Sequence, residues 1–452
     1  MAEIDPVMLA YQVATAQVEA ARKQVELRTQ QAESTSRALD RLKSALGSFE
    51  TALSGLSGSE GLRRFSTTFS ASDVATSTTG SAAKAGTYSF YVEQLATAHQ
   101  IVFEDLPSVP VASGGPLVVQ LADGTAINVN LLAADADGDG SLSQAEIARA
   151  INLAEDNAGR IVASIVTVGG QSHLLLSARD TGAASEISLD VSGLPSGALR
   201  SAFEGGRELV AAQDAVIWLG GQGGIRVQQA SNTFTGIEGV SVTFTRAMTA
   251  DEPPLTLTVA SDAAGTAANV QKFVDAFNTL MGVLDELTRV GNAEEGTPSA
   301  ALATDAGVRT LRSRLNQIIR QEFGGLSLVD LGIKADRTGR LTLDRDRLEA
   351  RLESDPDALQ TVFGSARTAS RSGVLGALDE YLDAWLKSGS GLIAARKASV
   401  QSIQKNLAER QARIDAQFDS YYRRYLAQFT ELQALQSRMS ETSGLFGQVL
   451  SG

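Results

Sequence analysis

The chain has no cysteine and only two histidines in 452 residues. The first absence excludes disulfides, thiolate metal sites and cysteine nucleophiles. The second leaves acid–base catalysis by histidine only His99 and His173 to work with. His173 alternates within an apolar strand, the setting of a structural side chain. No apolar run reaches transmembrane length, and the start lacks the basic-plus-hydrophobic pattern of a cleavable secretion signal, so export is expected to need another route. Positive charge is in deficit as well: 39 Lys and Arg against 52 Asp and Glu leave a net charge of −13. That balance argues against nucleic acid and anionic membrane surfaces as partners, and membrane insertion is not expected. The Gly-Gly pairs at 220–224 are not followed by the Lys-Ser/Thr of a phosphate cradle, and no nucleophile elbow or zinc spacing occurs. An enzyme is therefore not expected.

What the sequence does have is periodicity at both ends. Val400, Leu407, Ile414, Tyr421 and Leu435 share one heptad position, with Phe418, Tyr425, Leu432 and Met439 on the position four residues later. At the other end Tyr11, Val18, Val25, Ala32, Leu39, Leu46 and Leu53 recur every seven residues, and Leu42, Phe49 and Leu56 add a second seam position in the later turns. Each buried Leu or Phe is worth roughly 1.5–3 kcal/mol, so such stripes require partners. The periodicity also suits two helices of an ordinary bundle; its placement at both termini favours pairing of one end with the other. Ala14, Ala21, Arg28 and Thr35 weaken the early seam, so the first thirty or so residues are expected to be marginally helical alone and to order against other subunits.

Between the ends the period changes. Residues 61–84, rich in Ser, Thr, Gly and Ala, read as an extended linker after an N-terminal helical arm of residues 1–60. Residues 85–260 read as a β-rich head. Strands are expected from Gly86 to Ala96, Pro116 to Leu121, Ala126 to Asn130, Ile161 to Val168, His173 to Ser177, Ile187 to Val191, Ala215 to Leu219, Ile225 to Gln228, Val240 to Thr245 and Leu255 to Val259. One helix, Ser143 to Ala154, interrupts them, and residues 113–204 are expected to form an inserted lobe. The helical period returns over 261–398, and residues 399–452 form the C-terminal coiled-coil helix. The fold expected is α+β and multidomain: coiled-coil-like terminal helices form a leg, with a two-lobed β-rich head inserted between them.

The sharpest local motif is Asp135-Ala136-Asp137-Gly138-Asp139-Gly140-Ser141-Leu142-Ser143-Gln144-Ala145-Glu146. Carboxylates at positions 1, 3 and 5, glycine at 6 and glutamate at 12 match a calcium loop, with Asp135, Asp137, Asp139, Ser141 and Glu146 as ligands. A solvated acidic turn preceding a helix capped by Ser143, with Glu146 at its third position, accounts for the same residues. On the calcium reading the ion is structural and no cofactor is required for chemistry. Asp336 to Asp344 reads instead as a tight β-turn, since Arg337 and Arg340 occupy the wrong places for a cation site.

Taken together, four stretches resemble the flagellar hook-associated protein 2 family over nearly the whole chain. They are Gly86-Thr87-Tyr88-Ser89-Phe90 through Ala96; Ile147 to Asn152 followed by Val162 to Val166; Ala230-Ser231-Asn232-Thr233 with Gly236 to Val240, continued by Phe273 to Asn278; and Leu331-Gly332-Ile333 with Gly339 to Asp344, then Tyr425 to Gln433. The resemblance implies a filament cap: a homo-oligomeric ring, usually a pentamer, secreted by the flagellar export route and placed extracellularly at the filament tip. Its implied partners are flagellin, the hook-associated junction proteins, and the export apparatus with its chaperone. Leu39, Leu46, Leu53, Leu407, Ile414, Phe418, Tyr421, Tyr425 and Leu432 are the residues expected to carry helix pairing or oligomerisation. The aspartate loop lies outside the general family pattern. A hook–filament junction or axial protein is the alternative on the same features, and a calcium-dependent extracellular adhesin is the alternative from a different class.

Overall fold

The computed structural model describes residues 5–58, 61–104 and 106–450. It divides into two compact units, one built from both chain ends (up to Leu62, and from Thr266) and one inserted between them, Arg63–Gly265. Helix α1 (Pro6–Leu56) opens the first unit; the Asp5 side chain accepts the N–H groups of Val7 and Met8, and Pro6 takes the first helical position, where no N–H is needed.

In chain order the inserted unit runs β1 (Phe65–Phe69), β2 (Ala75–Thr79), β3 (Gly86–Gln94), β4 (Gln100–Phe103), β5 (Val109–Pro110), β6 (Pro116–Leu121), β7 (Ala126–Asn130), β8 (Ser141–Leu142) and α2 (Gln144–Leu153). It continues with β9 (Ile161–Val168), β10 (Gln171–Ala178), β11 (Ile187–Asp190), α3 (Ala198–Glu204), β12 (Arg207–Val210), β13 (Ala215–Leu219), β14 (Ile225–Gln229), β15 (Thr233–Ile237), β16 (Val240–Phe244) and β17 (Leu255–Ser261). Two separate cores form. One, from Phe65 to Val259, lies with the sheets β1-β17-β3-β13-β14 and β15-β16-β2. The other, from Phe103 to Phe203, lies with β12-β4-β10-β9 and β11-β6-β7.

Two expectations change here. Residues 61–84 are not a bare linker: β1 lies antiparallel to β17 with Phe65 opposite Ser261, and β2 lies antiparallel to β16 with Thr79 opposite Val240. Hydroxyls that would weaken a core serve at this half-exposed position, where Ser77 Oγ donates to Thr67 Oγ1 and Thr79 Oγ1 donates to the Phe65 carbonyl, both at 2.8 Å. The second lobe also begins before residue 113 and ends after 204, because β4 and β12 complete its four-stranded sheet.

After β17 come α4 (Ala263–Thr288), α5 (Ala306–Ile318), the hairpin β18 (Ile333–Ala335) and β19 (Leu341–Leu343), α6 (Arg345–Ser354), α7 (Ala358–Phe363), α8 (Gly373–Leu386) and α9 (Leu392–Leu450). Their apolar faces meet α1 in one core. Ring edges lock it, with Phe49 against Phe277 at 5.9 Å and Phe273 against Phe363 at 5.1 Å. At its margin Arg371 bonds both Asp379, at 2.7 Å, and Asp383. Glu50 stands beside them, and burial, then the charges of Asp379 and Asp383, raise its pKa.

Candidate assembly site

Four contacts fix the register of α1 against α9. Arg22 bonds Asp415 at 2.8 Å, Lys397 bonds Asp40, Arg410 reaches Gln24 at 3.4 Å, and the Tyr11 ring meets the edge of Phe418 at 5.6 Å. As the number rises on one helix it falls on the other, so the pair is antiparallel. Along it Val18, Val25, Ala32 and Leu39 are buried from α1, and Val400, Leu407 and Ile414 from α9. Phe418 and Tyr421 are partly buried against the same core, and Tyr425 is half-buried. The weak start of the seam is closed by small residues: Ala10 and Ala14 are fully buried, whereas Tyr11 stays largely exposed.

This register corrects the pairing expected of three residues with the opposite terminal helix. Leu46 and Leu53 are buried, but α9 begins at Leu392, just past Lys397 opposite Asp40, so their environment is the core shared with α4, α7 and α8. Among the described residues no helix lies opposite Leu432. Because both helices rise 1.5 Å per residue, Pro6 falls opposite roughly residues 425–430, and about 20 residues of α9, about 30 Å, run on past the start of α1. Leu432, Leu435 and Met439 on that extension are 41, 55 and 65% exposed.

The transition is marked by aromatic rings and guanidinium groups. Phe418 stacks on Tyr422 and Tyr425 on Phe429, both at 6.2 Å, while Arg22 lies 4.8 Å over Phe418 and Arg424 4.8 Å over Tyr425. Such contacts give a helix a stiff, amphipathic surface suited to packing against further helices. Arg22 is a contributor that the heptads do not mark, since it lies off the apolar stripe.

In the aspartate loop, the Asp135 carboxylate accepts the N–H groups of Gly138 at 2.7 Å and Gly140 at 3.0 Å, and Asp139 accepts that of Ser141 at 2.7 Å. Asp135, Asp137 and Asp139 each bring a carboxylate oxygen within 4.8 Å of the others. Three hard oxygens at that spacing suit a divalent cation. Glu146 is engaged elsewhere. It accepts the Ser143 N–H at 2.9 Å, the Ser143 hydroxyl at 2.8 Å and the Ala136 N–H at 2.7 Å. Ser143 Oγ accepts the Glu146 N–H in return, completing a capping box at the start of α2. The N–H donors of Ser143 and Ala136, with the Ser143 hydroxyl, hold the Glu146 carboxyl down at about 2.

Asparagine side chains that sequence periodicity cannot flag prove to be structural. Asn232 accepts the Ala96 N–H at 2.7 Å and donates to its carbonyl at 2.9 Å. Asn152 does the same to Ala163. The one available signal was their place within the stretches that carry the family resemblance.

Residues 4–99 match the model of the flagellar hook-associated protein 2 N-terminus, and residues 212–441 match that of its C-terminus. The lateral flagellar hook-associated protein 2 of Vibrio parahaemolyticus is 33% identical over 388 residues, covering 84% of this chain and 85% of the relative. The flagellar hook-associated protein 2 of Escherichia coli K12 is 29% identical over 425 residues, covering 89% and 87%. Among solved structures, the D1-D2-D3 domains of the E. coli flagellar cap protein FliD superpose with a TM-score of 0.61 at 26% identity, over 80% of this chain and 99% of that one. With both family models matched in order and terminal helices flanking an inserted β-rich unit, the chain belongs to the flagellar hook-associated protein 2 family.

Proposed function

We propose that this protein caps the distal end of a flagellar filament, retaining exported flagellin and promoting its polymerisation. It acts as a structural protein, outside the cell, in a ring of identical subunits. The observation that carries the reading is the α9 extension, whose exposed Leu432, Leu435 and Met439 continue the seam of a helix pair past the start of α1. A helix whose apolar stripe has no partner among the described residues is the means by which a subunit engages other helices, and the solved relative of 0.61 TM-score is a flagellar cap protein. Junction proteins, the export apparatus and its chaperone are further partners in this reading. Contacts made by short seams are individually weak and re-form readily, as a cap that moves with a growing end requires.

Gene deletion tests it. Loss of a cap sends flagellin monomers into the medium and leaves cells without filaments; motile cells with intact filaments would refute the reading. We also propose that Asp135, Asp137, Asp139 and Ser141 hold a structural Ca²⁺, with Glu146 kept in the helix cap. The three converging carboxylates support it.

A further inference from the structure

The sheet β12-β4-β10-β9 has two outer strands, β9 and β12. Just before β9 the Arg179 N–H donates to the Arg160 carbonyl at 2.8 Å. By the alternation of an antiparallel ladder, even-numbered residues of β9 turn their backbone groups to β10, and Ile161, Ala163, Ile165 and Thr167 turn theirs outward. The first two are closed by side chains. Asn157 donates to the Ile161 carbonyl and accepts its N–H, both at 2.9 Å, and Asn152 donates to the Ala163 carbonyl at 2.7 Å and accepts its N–H at 2.9 Å. Past Ala163 the closure stops. Among the described residues nothing pairs with Ile165 or Thr167 on that side, and Val166 and Val168 beside them are 38 and 64% exposed.

An open edge of this kind recruits another strand, and folded proteins usually guard it with charge, shortness or a bulge. The opposite edge is guarded: β12 is four residues long, carries Arg207 and Glu208, and breaks register between Glu208 and Val210. From Ile161 to Ala178, by contrast, no Asp, Glu, Lys or Arg occurs in a chain that is 20% charged. This selects the occupant. A partner of opposite charge finds nothing to recognise there, whereas two copies at −13 each repel least where both are uncharged.

We propose that the open half of β9 pairs antiparallel with β9 of a second copy of this chain, about a two-fold axis at Val166. Ile165 then faces Thr167 of the other copy and exchanges two backbone hydrogen bonds with it, and the symmetric pair exchanges two more. Val166 faces Val166. This is the register that uses both open residues and leaves Ala163 to Asn152. The contact is isologous and closes on itself, so it joins two subunits or two rings and does not generate a ring. It goes beyond the cap reading and stands or falls separately from it.

The absence of cysteine makes the test clean. In the full-length chain Val166→Cys places two thiols at a non-hydrogen-bonded pair with Cα atoms about 4.5 Å apart, within the span of a disulfide. Under mild oxidation it should give a covalent dimer reversed by reductant. Ile225→Cys, 67% exposed on β14, reports random collision and should stay monomeric. A mixture of Ser164→Cys and Val168→Cys chains should cross-link faster than either alone, which fixes the register. Thr167→Pro removes an outward N–H without touching the β10 ladder and should lower the Val166→Cys dimer yield about tenfold. Equal dimer yields for Val166→Cys and Ile225→Cys, both folded by circular dichroism, would overturn the proposal, as would a Thr167→Pro change without effect.

Discussion

Asn278 and Leu341, 63 residues apart, bond each other twice: Asn278 Nδ2 donates to the Leu341 carbonyl at 2.9 Å, and the Leu341 N–H donates to Asn278 Oδ1 at 2.7 Å. A side-chain amide carries the same donor and acceptor as a peptide group, so Asn278 on α4 acts as one more rung beside β19. Asn232 treats Ala96 in the same way. Replacing Asn278 by Leu keeps the size and removes both bonds, leaving half-buried peptide groups unpaired, at a cost of about 1–3 kcal/mol. Urea unfolding should show the loss, with Asn278→Asp, which retains the acceptor alone, falling between. An unchanged midpoint for the leucine variant would refute the assignment.

The register of α1 and α9 separates two aspartate substitutions on a single stripe. Ile414→Asp buries a charge in the pair and should lower the stability of the helical unit by more than about 2 kcal/mol. Leu432→Asp, on the extension, should melt within about 0.5 kcal/mol of the parent and yet abolish filament growth in cells. Equal melting of the two variants would place a partner opposite Leu432 within the chain.

Glu146 makes the second lobe acid-sensitive. Its folded pKa, about 2, lies below the ordinary value of 4.5, so the unfolded chain takes up the proton first as pH falls. The stabilisation is fully present above about pH 4.5 and drains away toward pH 2. Glu146→Gln should unfold more readily at pH 7 and lose less than the parent between those limits. Parallel pH–stability curves would show that the carboxylate does not carry the effect.

The calcium proposal divides the loop. Asp137→Asn should abolish any rise in melting temperature on adding millimolar Ca²⁺, whereas Glu146→Gln should melt lower with or without the ion and still respond to it. Calorimetry showing no heat and no shift for the parent protein would remove the calcium proposal.

At the margin of the helical core the sign reverses. Burial, with Asp379 and Asp383, raises the Glu50 pKa above its ordinary 4.5, so the folded state holds this proton longer. The penalty is absent below about pH 4.5 and grows as pH rises through the folded value. Glu50→Gln should raise the melting temperature at pH 7 and lose that advantage near pH 4. A variant less stable at pH 7 would mean that the carboxylate is a useful partner of Arg371.

Much of the inserted unit was legible because its strands are strict alternators. Leu117, Val119 and Leu121 all turn to one core, and β6 and β7 begin and end where the pattern does. β1 and β2 were not legible. Their Ser and Thr residues look like a solvated tether until β17 supplies the ladder for β1, nearly 200 positions later, and β16 that for β2, and that is information no local window holds. For the terminal helices, heptads announced that a partner was needed without saying where it begins, so Leu432 seemed as well paired as Ile414. In the aspartate loop the spacing was plain, but the choice Glu146 makes between cation and helix cap rests on backbone positions. The asparagine clamps left no periodic trace, because each acts once.

The pairing of Arg22 with Asp415 spans 393 positions, and the inserted unit lies wholly inside that span. A chain delivered from either end can therefore complete the inserted unit while the first-emerging terminal helix is still waiting. The helical unit finishes last, when the final segment arrives, and until then its longest apolar stripe is available to neighbouring molecules. Assembly of a subunit onto its neighbours and closure of its own fold thus compete for one surface, and the sequence in which the chain emerges decides which begins first.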